Sequence, residues 1–342
     1  MRIGVLTGGG DCPGLNAVIR AVVRRAERGF GDEVVGFLDG WRGVVEDDTV
    51  SLDVDACRGL LPRGGTVLGT SRLQPFGMQD GVERARGTIE RHGLDGLVVV
   101  GGEGTLSCAR GLHELGFPVV GVPKTIDNDI SATEMTFGFE TAIEIATEAI
   151  DRLHTTAESH DRVMVVEVMG RHVGHIAAWA GMAGGATVTL VPEEPFDIVE
   201  VCAVVRRRHE RGRFASVLVV AEGARPIEGT MEMPEEEVDA FGHVRLGGIA
   251  HLVSAEIEHR TGFDTRVTIL GHVQRGGTPT AFDRVLASRF GVAAVDAIHE
   301  GGFGMMTSLT AGEILLVPLS EAVTEVKKLD SDLWDTAKVF FA

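Results

Sequence analysis

The chain has 342 residues, 44% of them hydrophobic, and a formal net charge of −18. This length fits two domains, and so acidic a chain is a poor partner for nucleic acid or anionic membranes, which bind basic surfaces. No apolar run approaches the roughly 18 residues of a membrane span and no signal peptide is visible, so we expect a soluble, cytoplasmic protein.

The four cysteines are far apart in the sequence and none has CxxC spacing. This pattern argues against a disulfide framework and against a structural zinc site. We therefore expect four free thiols.

Short apolar runs that suit buried strands alternate with segments of helical periodicity. The runs lie at residues 2–6, 97–100, 119–122, 163–168 and 217–220. This alternation predicts an α/β fold of two doubly wound lobes, with largely parallel sheets and a cleft between them. Ligands of such folds bind at the carboxyl ends of the strands.

Three segments carry weaker patterns. Residues 225–247 are acidic and lack periodicity, which indicates a surface excursion or lid. Residues 301–312 are predicted to be a connection and residues 322–341 a closing helical tail whose function the sequence does not indicate.

Two glycine-rich loops follow the first two apolar runs. Residues 7–14 (TGGGDCPG) offer backbone N–H groups to a phosphate, or simply turn the chain from strand to helix. Residues 101–105 (GGEGT) let a nucleotide approach closely, and Glu103 can hold Mg²⁺ or cap the following helix. The second loop indicates a phosphoryl donor without identifying the acceptor.

The third loop, residues 123–129 (PKTIDND), concentrates acidic groups. In an extended chain Thr125, Asp127 and Asp129 point to one side, because side chains alternate. Two such carboxylates suit phosphoryl transfer, one accepting a hydroxyl proton and the other helping to hold a metal. The alternative is a polar turn that leads into a helix near Glu140.

Arginines occur at several predicted ligand-facing edges, although each alone would usually be a surface charge. Their planar guanidinium groups match phosphate. They are Arg162, Arg171 in MGRHVG, Arg266, and Arg275 in GHVQRGG, with Glu222 at a further strand end.

The ordered motifs GGDCPGLN, GGEGT, PKTIDND, MGRHVG and GHVQRGG resemble the phosphofructokinase family from residue 1 to about 289. The resemblance implies Mg²⁺-dependent transfer of a phosphoryl group from ATP to the C1 hydroxyl of fructose 6-phosphate, a step of glycolysis. Matched nucleotide-side positions are Gly10, Arg72, Leu73, Gly102, Glu103, Gly104 and Thr105, with Glu103 as the magnesium carboxylate.

The same resemblance implies that Asp127 is the general base. Matched sugar phosphate positions are Thr125, Asp127, Met169, Gly170, Arg171, Glu222, His272 and Arg275, while Arg162 and Arg266 match residues that reach in from a neighbouring subunit. A homotetramer is therefore implied. So is a phosphoryl-donor lobe at 1–138 plus about 274–325, and a fructose 6-phosphate lobe at 139–273 plus about 326–342.

The donor signals are mixed. Family members that use pyrophosphate tend to carry an acidic residue at the position of Gly104 and a lysine at that of Lys124. Gly104 leaves space for an α-phosphate, whereas a carboxylate there would exclude ATP by bulk and charge. An added lysine excludes nothing, so ATP is the expected donor.

Three alternatives remain. The first is a pyrophosphate-dependent enzyme of the same fold. The second is a non-catalytic sugar-phosphate or nucleotide sensor, against which the retained Asp127 and Asp129 count. The third is a Rossmann dehydrogenase, which the missing dinucleotide fingerprint weakens.

Overall fold

The computed structural model describes residues 1–233 and 247–341. The chain divides into a first unit, Met1–Thr141 with Arg275–Lys327, and a second unit, Ala142–Gln274 with Lys328–Ala342. Most of the expected lid, residues 234–246, lies outside the described residues. Across the described ranges, every helix is too short or too polar to span a bilayer.

The first unit is built on a mostly parallel sheet. Its strands are β1 (Arg2–Gly8), β2 (Glu33–Phe37), β3 (Thr49–Leu52), β4 (Gly96–Gly101), β5 (Val119–Pro123), β10 (Met305–Thr310) and β11 (Glu313–Pro318). They pair in the order β11-β10-β5-β4-β1-β2-β3. Only the outermost pairs, β2 with β3 and β10 with β11, are antiparallel. The central strands are buried on both faces, as parallel strands covered by helices must be.

Helices cover this sheet. They are α1 (Leu15–Arg25), α2 (Trp41–Glu46), α3 (Gly81–His92), α4 (Glu103–Glu114), α9 (Ala281–His299) and α10 (Leu319–Ala322). Leu6, Trp41, Val99 and Leu106 belong to one buried apolar cluster between strands and helices. On α9, a Cβ atom at Gly291 would lie 2.8 Å from the Val18 carbonyl oxygen, so glycine permits close packing of α9 on α1.

The second unit has a fully parallel sheet in the order β7-β8-β6-β9. Its strands are β6 (Val163–Val168), β7 (Val188–Leu190), β8 (Ser216–Ala221) and β9 (Thr265–Ile269). Its helices are most of α5 (Phe139–His160), α6 (His175–Ala183), α7 (Ile198–Glu210), α8 (Ile249–Thr261) and α11 (Ser331–Lys338).

Buried carboxylates fix two helix starts. Glu167, 2% exposed, accepts the N–H groups of Gly248 and Ala250 at 3.0 Å, where α8 begins. Asp283 on α9 is fully buried and accepts the N–H groups of Gly138 and Thr141 at 2.8 Å, where α5 begins. Each carboxylate satisfies N–H groups that a helix start leaves without partners. Burial raises the pKa of Asp283 to about 6, against the opposing effect of the Thr141 hydrogen bonds.

Much of the predicted architecture is confirmed. All five predicted runs are strands, and the fold is α/β with mostly parallel sheets. All four cysteines are buried free thiols. The prediction of a connection at 301–312 is wrong, because β10 occupies half of it and pairs with β5. The predicted tail, residues 322–341, is only partly helical: α10 ends at its first residue, and α11 is the helix within it.

Candidate active site

Three loops of the first unit begin at one edge of its sheet. Gly8 of β1 is in register with Gly101 of β4, and Gly101 with Pro123 of β5. The segments TGGGDCPG, GGEGT and PKTIDND therefore leave the sheet side by side. This is the edge at which ligands of doubly wound sheets bind.

The first loop is held by its neighbours. The Gly9 N–H donates to the Ser71 carbonyl at 3.1 Å, and the Thr70 hydroxyl donates to the Gly9 carbonyl at 2.6 Å. Gly9 has φ +78°, which favours glycine. The next residues after Ser71 are Arg72 and Leu73, both exposed, so two predicted nucleotide-side residues lie near this loop.

The second loop opens α4. Gly102 is the N-cap, and Glu103 is exposed in the first turn, where its Oε1 accepts the Ser107 hydroxyl at 2.7 Å. The side chain of Thr105 points back into the sheet edge, and a Cβ atom at Gly8 would lie only 2.8 Å from it. A Cβ atom at Gly101 would overlap the same threonine. Packing thus requires these two glycines.

Gly104 is different, because packing does not require a glycine there. Apart from adjacent backbone, the one described heavy atom within 4 Å of a Cβ at this position is Gln74 Nε2, at 3.4 Å. Gln74 Nε2 also donates to the Gly104 carbonyl at 3.0 Å. The backbone φ of Gly104 is outside the positive region that would require a glycine. Gly104 therefore leaves open space at the start of α4.

Lys124 is built into the protein and is only 3% exposed. Its ammonium donates to the Gly10 carbonyl, and its backbone N–H donates to Gly101 at 2.9 Å. Burial lowers the pKa of Lys124, while the nearby Cys12 thiol acts in the opposite direction. The Arg275 guanidinium also contacts this loop: it donates to the Asp11 carbonyl at 3.3 Å, and a side chain at Gly10 would overlap it.

The third loop corrects one expectation. The chain at Thr125, Asp127 and Asp129 is not extended, because Asn128 has φ +52° and the Asp127 N–H bonds the Thr125 hydroxyl at 3.1 Å. The segment is a polar turn, which is the alternative raised from the sequence. Asp129 Oδ1 is buried, with no hydrogen-bond partner among the described residues. Such an oxygen is suited to an ion or ligand.

The second unit brings Met169, Gly170 and Arg171 beside Glu222, at the ends of adjacent strands β6 and β8. The Glu222 N–H donates to Val168 at 2.9 Å and the Gly223 N–H to Gly170 at 3.1 Å. Gly170 has φ +141°, and a Cβ atom there would lie 2.6 Å from the Val173 carbonyl. Glycine is therefore required at position 170.

Side chains that the sequence analysis missed support this loop. Gln274 is fully buried; its Oε1 accepts the Met169 N–H at 3.4 Å, and its Nε2 donates to Gly271 at 3.1 Å. Glu193 accepts the Gly174 N–H at 3.0 Å. His272, next to Gly271, is exposed. No local sequence pattern indicates that Gln274 accepts the Met169 N–H, 105 residues away, or that Glu193 accepts the Gly174 N–H, 19 residues away.

Arg162 and Arg266 share one carboxylate. Arg162 Nε donates to Asp264 Oδ2 at 2.6 Å, and Arg266 Nη1 pairs with Oδ1 of the same aspartate. These two arginines, with Arg162 contributing more, lower the pKa of Asp264. Asp264 thus fixes the two guanidinium groups on one partly exposed surface. Asp264 stands two residues before Arg266, where β9 begins, and side chains two residues apart in a strand lie on the same side. This spacing could have indicated from the sequence that Asp264 pairs with Arg266.

The family is established by sequence. The phosphofructokinase family model matches residues 2–298. The chain belongs to this family. Among phosphofructokinases, ATP-dependent 6-phosphofructokinase 3 of Streptomyces coelicolor is 59% identical over 327 residues, with 96% of each chain covered. Pyrophosphate--fructose 6-phosphate 1-phosphotransferase of the same organism is 57% identical over 342 residues, with all of each chain covered.

A solved phosphofructokinase has the same fold. The T-state enzyme of Pichia pastoris superimposes with a TM-score of 0.83 at 33% identity, over 99% of this chain. The chain spans only 36% of the length of that yeast protein. The predicted membership and fold class are both confirmed.

Proposed function

We propose that this phosphofructokinase is an ATP-dependent 6-phosphofructokinase. It transfers the terminal phosphoryl group of ATP to the C1 hydroxyl of fructose 6-phosphate, giving fructose 1,6-bisphosphate and ADP in glycolysis. One observation carries the proposal: the GGEGT loop and the Asp127–Asp129 turn leave neighbouring strands β4 and β5 in register at one sheet edge. A nucleotide loop beside two carboxylates is the arrangement that a phosphoryl transfer from nucleotide to alcohol needs.

Asp127 is the general base in this proposal. As the C1 oxygen forms its bond to the γ-phosphorus, the hydroxyl proton passes to the Asp127 carboxylate. The bond from phosphorus to the bridging oxygen breaks, and that oxygen leaves with ADP. Thr125 bonds the Asp127 N–H and so fixes the turn that carries the base.

The acidic groups of the first unit fit Mg²⁺. Magnesium is held by one or two carboxylates together with substrate phosphates, and it seldom needs a complete protein cage. Glu103, exposed at the start of α4, and Asp129, whose buried Oδ1 has no described partner, would hold it. The bound ion would neutralise charge on the phosphates. Among the described residues, no group of three or more acidic, histidine or cysteine side chains is arranged to hold a metal.

The remaining site residues divide between the units. Gly10, Arg72, Leu73, Gly102, Gly104 and Thr105 belong to the donor side, which makes the first unit the phosphoryl-donor lobe. Of the proposed sugar phosphate residues, Met169, Gly170, Arg171, Glu222 and His272 belong to the second unit, which is therefore the proposed fructose 6-phosphate lobe, whereas Thr125 and Arg275 belong to the first unit. Arginine in particular suits the 6-phosphate group.

Arg162 and Arg266 complete this site from a neighbouring subunit of a homotetramer. Their common partner Asp264 supports the assignment, because it holds both guanidinium groups on one surface. An isolated chain would then have an incomplete phosphate site. Activity should accordingly require assembly.

ATP is the proposed donor because Gly104 leaves room at the start of α4. Pyrophosphate is the second candidate, favoured by Lys124 and by the relative at 57% identity that is named for it. The Lys124 ammonium also has a protein partner, because it donates to the Gly10 carbonyl.

The test is to identify the product. Purified protein is incubated with fructose 6-phosphate, ATP and Mg²⁺, and the sugar is examined by phosphorus NMR. A second phosphate on C1, formed in equal amount to ADP, is expected. Hydrolysis of ATP without sugar phosphorylation would contradict the proposal.

A further inference from the structure

Lys327 lies near the C-terminus but contacts the turn that carries the two aspartates. Its ammonium donates three hydrogen bonds: to Asn128 Oδ1 at 2.9 Å, to the Thr133 carbonyl at 2.9 Å and to the Glu134 carbonyl at 2.8 Å. An ammonium has three N–H groups, so all are used. A single side chain thus ties together both ends of the segment from Asn128 to Glu134.

The backbone around Lys327 also follows the turn. Its N–H donates to the Asp129 carbonyl at 2.9 Å, and Val326 forms an antiparallel bridge with Ile130. The Ser131 hydroxyl donates to the Glu325 carbonyl at 2.7 Å. The tail therefore lines the turn over three consecutive residues.

Asn128 is the residue that most needs this support. It stands between the two aspartates with φ +52°, a conformation that costs free energy for any residue but glycine. Its side-chain oxygen accepts the Thr136 N–H at 3.1 Å in addition to the Lys327 ammonium. These bonds fix the Asn128 side chain. They thereby also stabilise the backbone conformation that sets the positions of Asp127 and Asp129.

The ammonium is held at an electrostatic cost. The Lys327 side chain is partly buried, and the carboxylates of Asp129 and Glu134 lie close enough to interact with its charge. Removing a cation from water costs free energy unless hydrogen bonds replace the lost hydration. Lys327 is partly buried, and its three hydrogen bonds offset that cost, whereas a neutral amide side chain offers only two N–H donors.

We propose that Lys327 is a positioning residue for phosphoryl transfer, holding the Asp127–Asp129 turn in the geometry in which Asp127 meets the C1 hydroxyl. The inference rests on the proposed function. It assigns a role in the reaction to a C-terminal segment whose function the sequence did not reveal. Misplacing a catalytic group by about 1 Å can cost up to about 100-fold in rate, and this sets the size of the effect.

The test compares Lys327→Met with Lys328→Met. Lys328 is the adjacent, exposed lysine, so its replacement controls for the loss of one positive charge from the tail. For Lys327→Met we expect kcat to fall about 10- to 100-fold while KM for fructose 6-phosphate and for ATP changes less than about two-fold. Lys328→Met should retain wild-type kcat. Thermal melting establishes that each variant is folded at the assay temperature.

A second variant guards against a folding defect. Lys327→Ala shortens the side chain and removes its ammonium, and ethylammonium in the buffer should restore part of kcat in a saturable way. Neutral ethanol at the same concentration should not. Lys327→Gln, which keeps two N–H donors, should have an intermediate kcat.

Three results would overturn the inference. Lys327→Met could retain full kcat, its activity could fall only in proportion to its unfolded fraction, or ethanol could rescue Lys327→Ala as well as ethylammonium. If wild-type protein is active in the same assay, these results leave the proposed function intact. A wild-type protein that fails to phosphorylate fructose 6-phosphate would overturn both.

Discussion

Gly104→Asp should abolish efficient use of ATP while leaving the fold intact. The new Cβ atom would lie 3.4 Å from Gln74 Nε2, an ordinary contact with a flexible amide that can also bond the carboxylate. An α-phosphate beside the carboxylate at about 5 Å, with an effective dielectric constant of about 20, is repelled by about 3 kcal/mol. That corresponds to a loss of roughly 10²- to 10³-fold in kcat/KM for ATP.

Gly104→Ala is the matched control because it adds the Cβ atom without the charge. Both variants are assayed by coupling fructose 1,6-bisphosphate formation to NADH oxidation, and their melting temperatures are compared with wild type. The alanine variant should lose much less kcat/KM for ATP than the aspartate variant. With Lys124 in place, the aspartate variant should also show a higher ratio of pyrophosphate activity to ATP activity than the wild type. Equal losses of kcat/KM for ATP in the two variants would refute the electrostatic argument. An aspartate variant with wild-type kcat/KM for ATP would refute the placement of the donor beside Gly104.

Three further predictions concern the base, the assembly and a buried carboxylate. Asp127→Ser should lower kcat by about 10²- to 10⁴-fold with KM for the sugar nearly unchanged, and steady-state kinetics that leave kcat largely intact would end the assignment. Mixing Asp127→Ser with Arg162→Ala protein under subunit exchange should regain activity, because hybrid sites pair intact residues; exchange seen by native mass spectrometry without activity would count against a shared site. Asp283 has a folded pKa of about 6, above its unfolded value of 3.8, so its protonation favours the folded state and its contribution to stability decreases as pH rises from about 4 to 6. In denaturant titrations Asp283→Asn should therefore cost about 2 kcal/mol more at pH 4.5 than at pH 7; an equal cost at both pH values would show that the folded pKa is not raised.

The sequence predicted the parts of the fold that local composition determines. The run Val163–Val168 is the strand β6 without any shift in its ends, because apart from Glu167 it is apolar, as a parallel strand buried on both faces tends to be. β10 was missed, since MMTSLT alternates weakly and is flanked by glycines. Its burial depends on β5, which lies far away in the chain.

The candidate site shows the same division. Loop positions could be predicted, because each follows an apolar run and parallel strands bring their ends together. The conformation of the aspartate loop could not, because Asn128 adopts a positive φ that its hydrogen bonds to Thr136 and Lys327 support. Gln274 and Lys327 could not be recognised either, since their roles depend on contacts across 100 or more residues.

The most direct test of the account compares the two phosphoryl donors on purified wild-type protein. With fructose 6-phosphate and Mg²⁺ saturating, kcat/KM is measured for ATP and for pyrophosphate in the same buffer. The account predicts a higher kcat/KM with ATP, because of the open space at Gly104. A higher value with pyrophosphate would contradict it and would make the pyrophosphate-dependent reaction the better description of this phosphofructokinase.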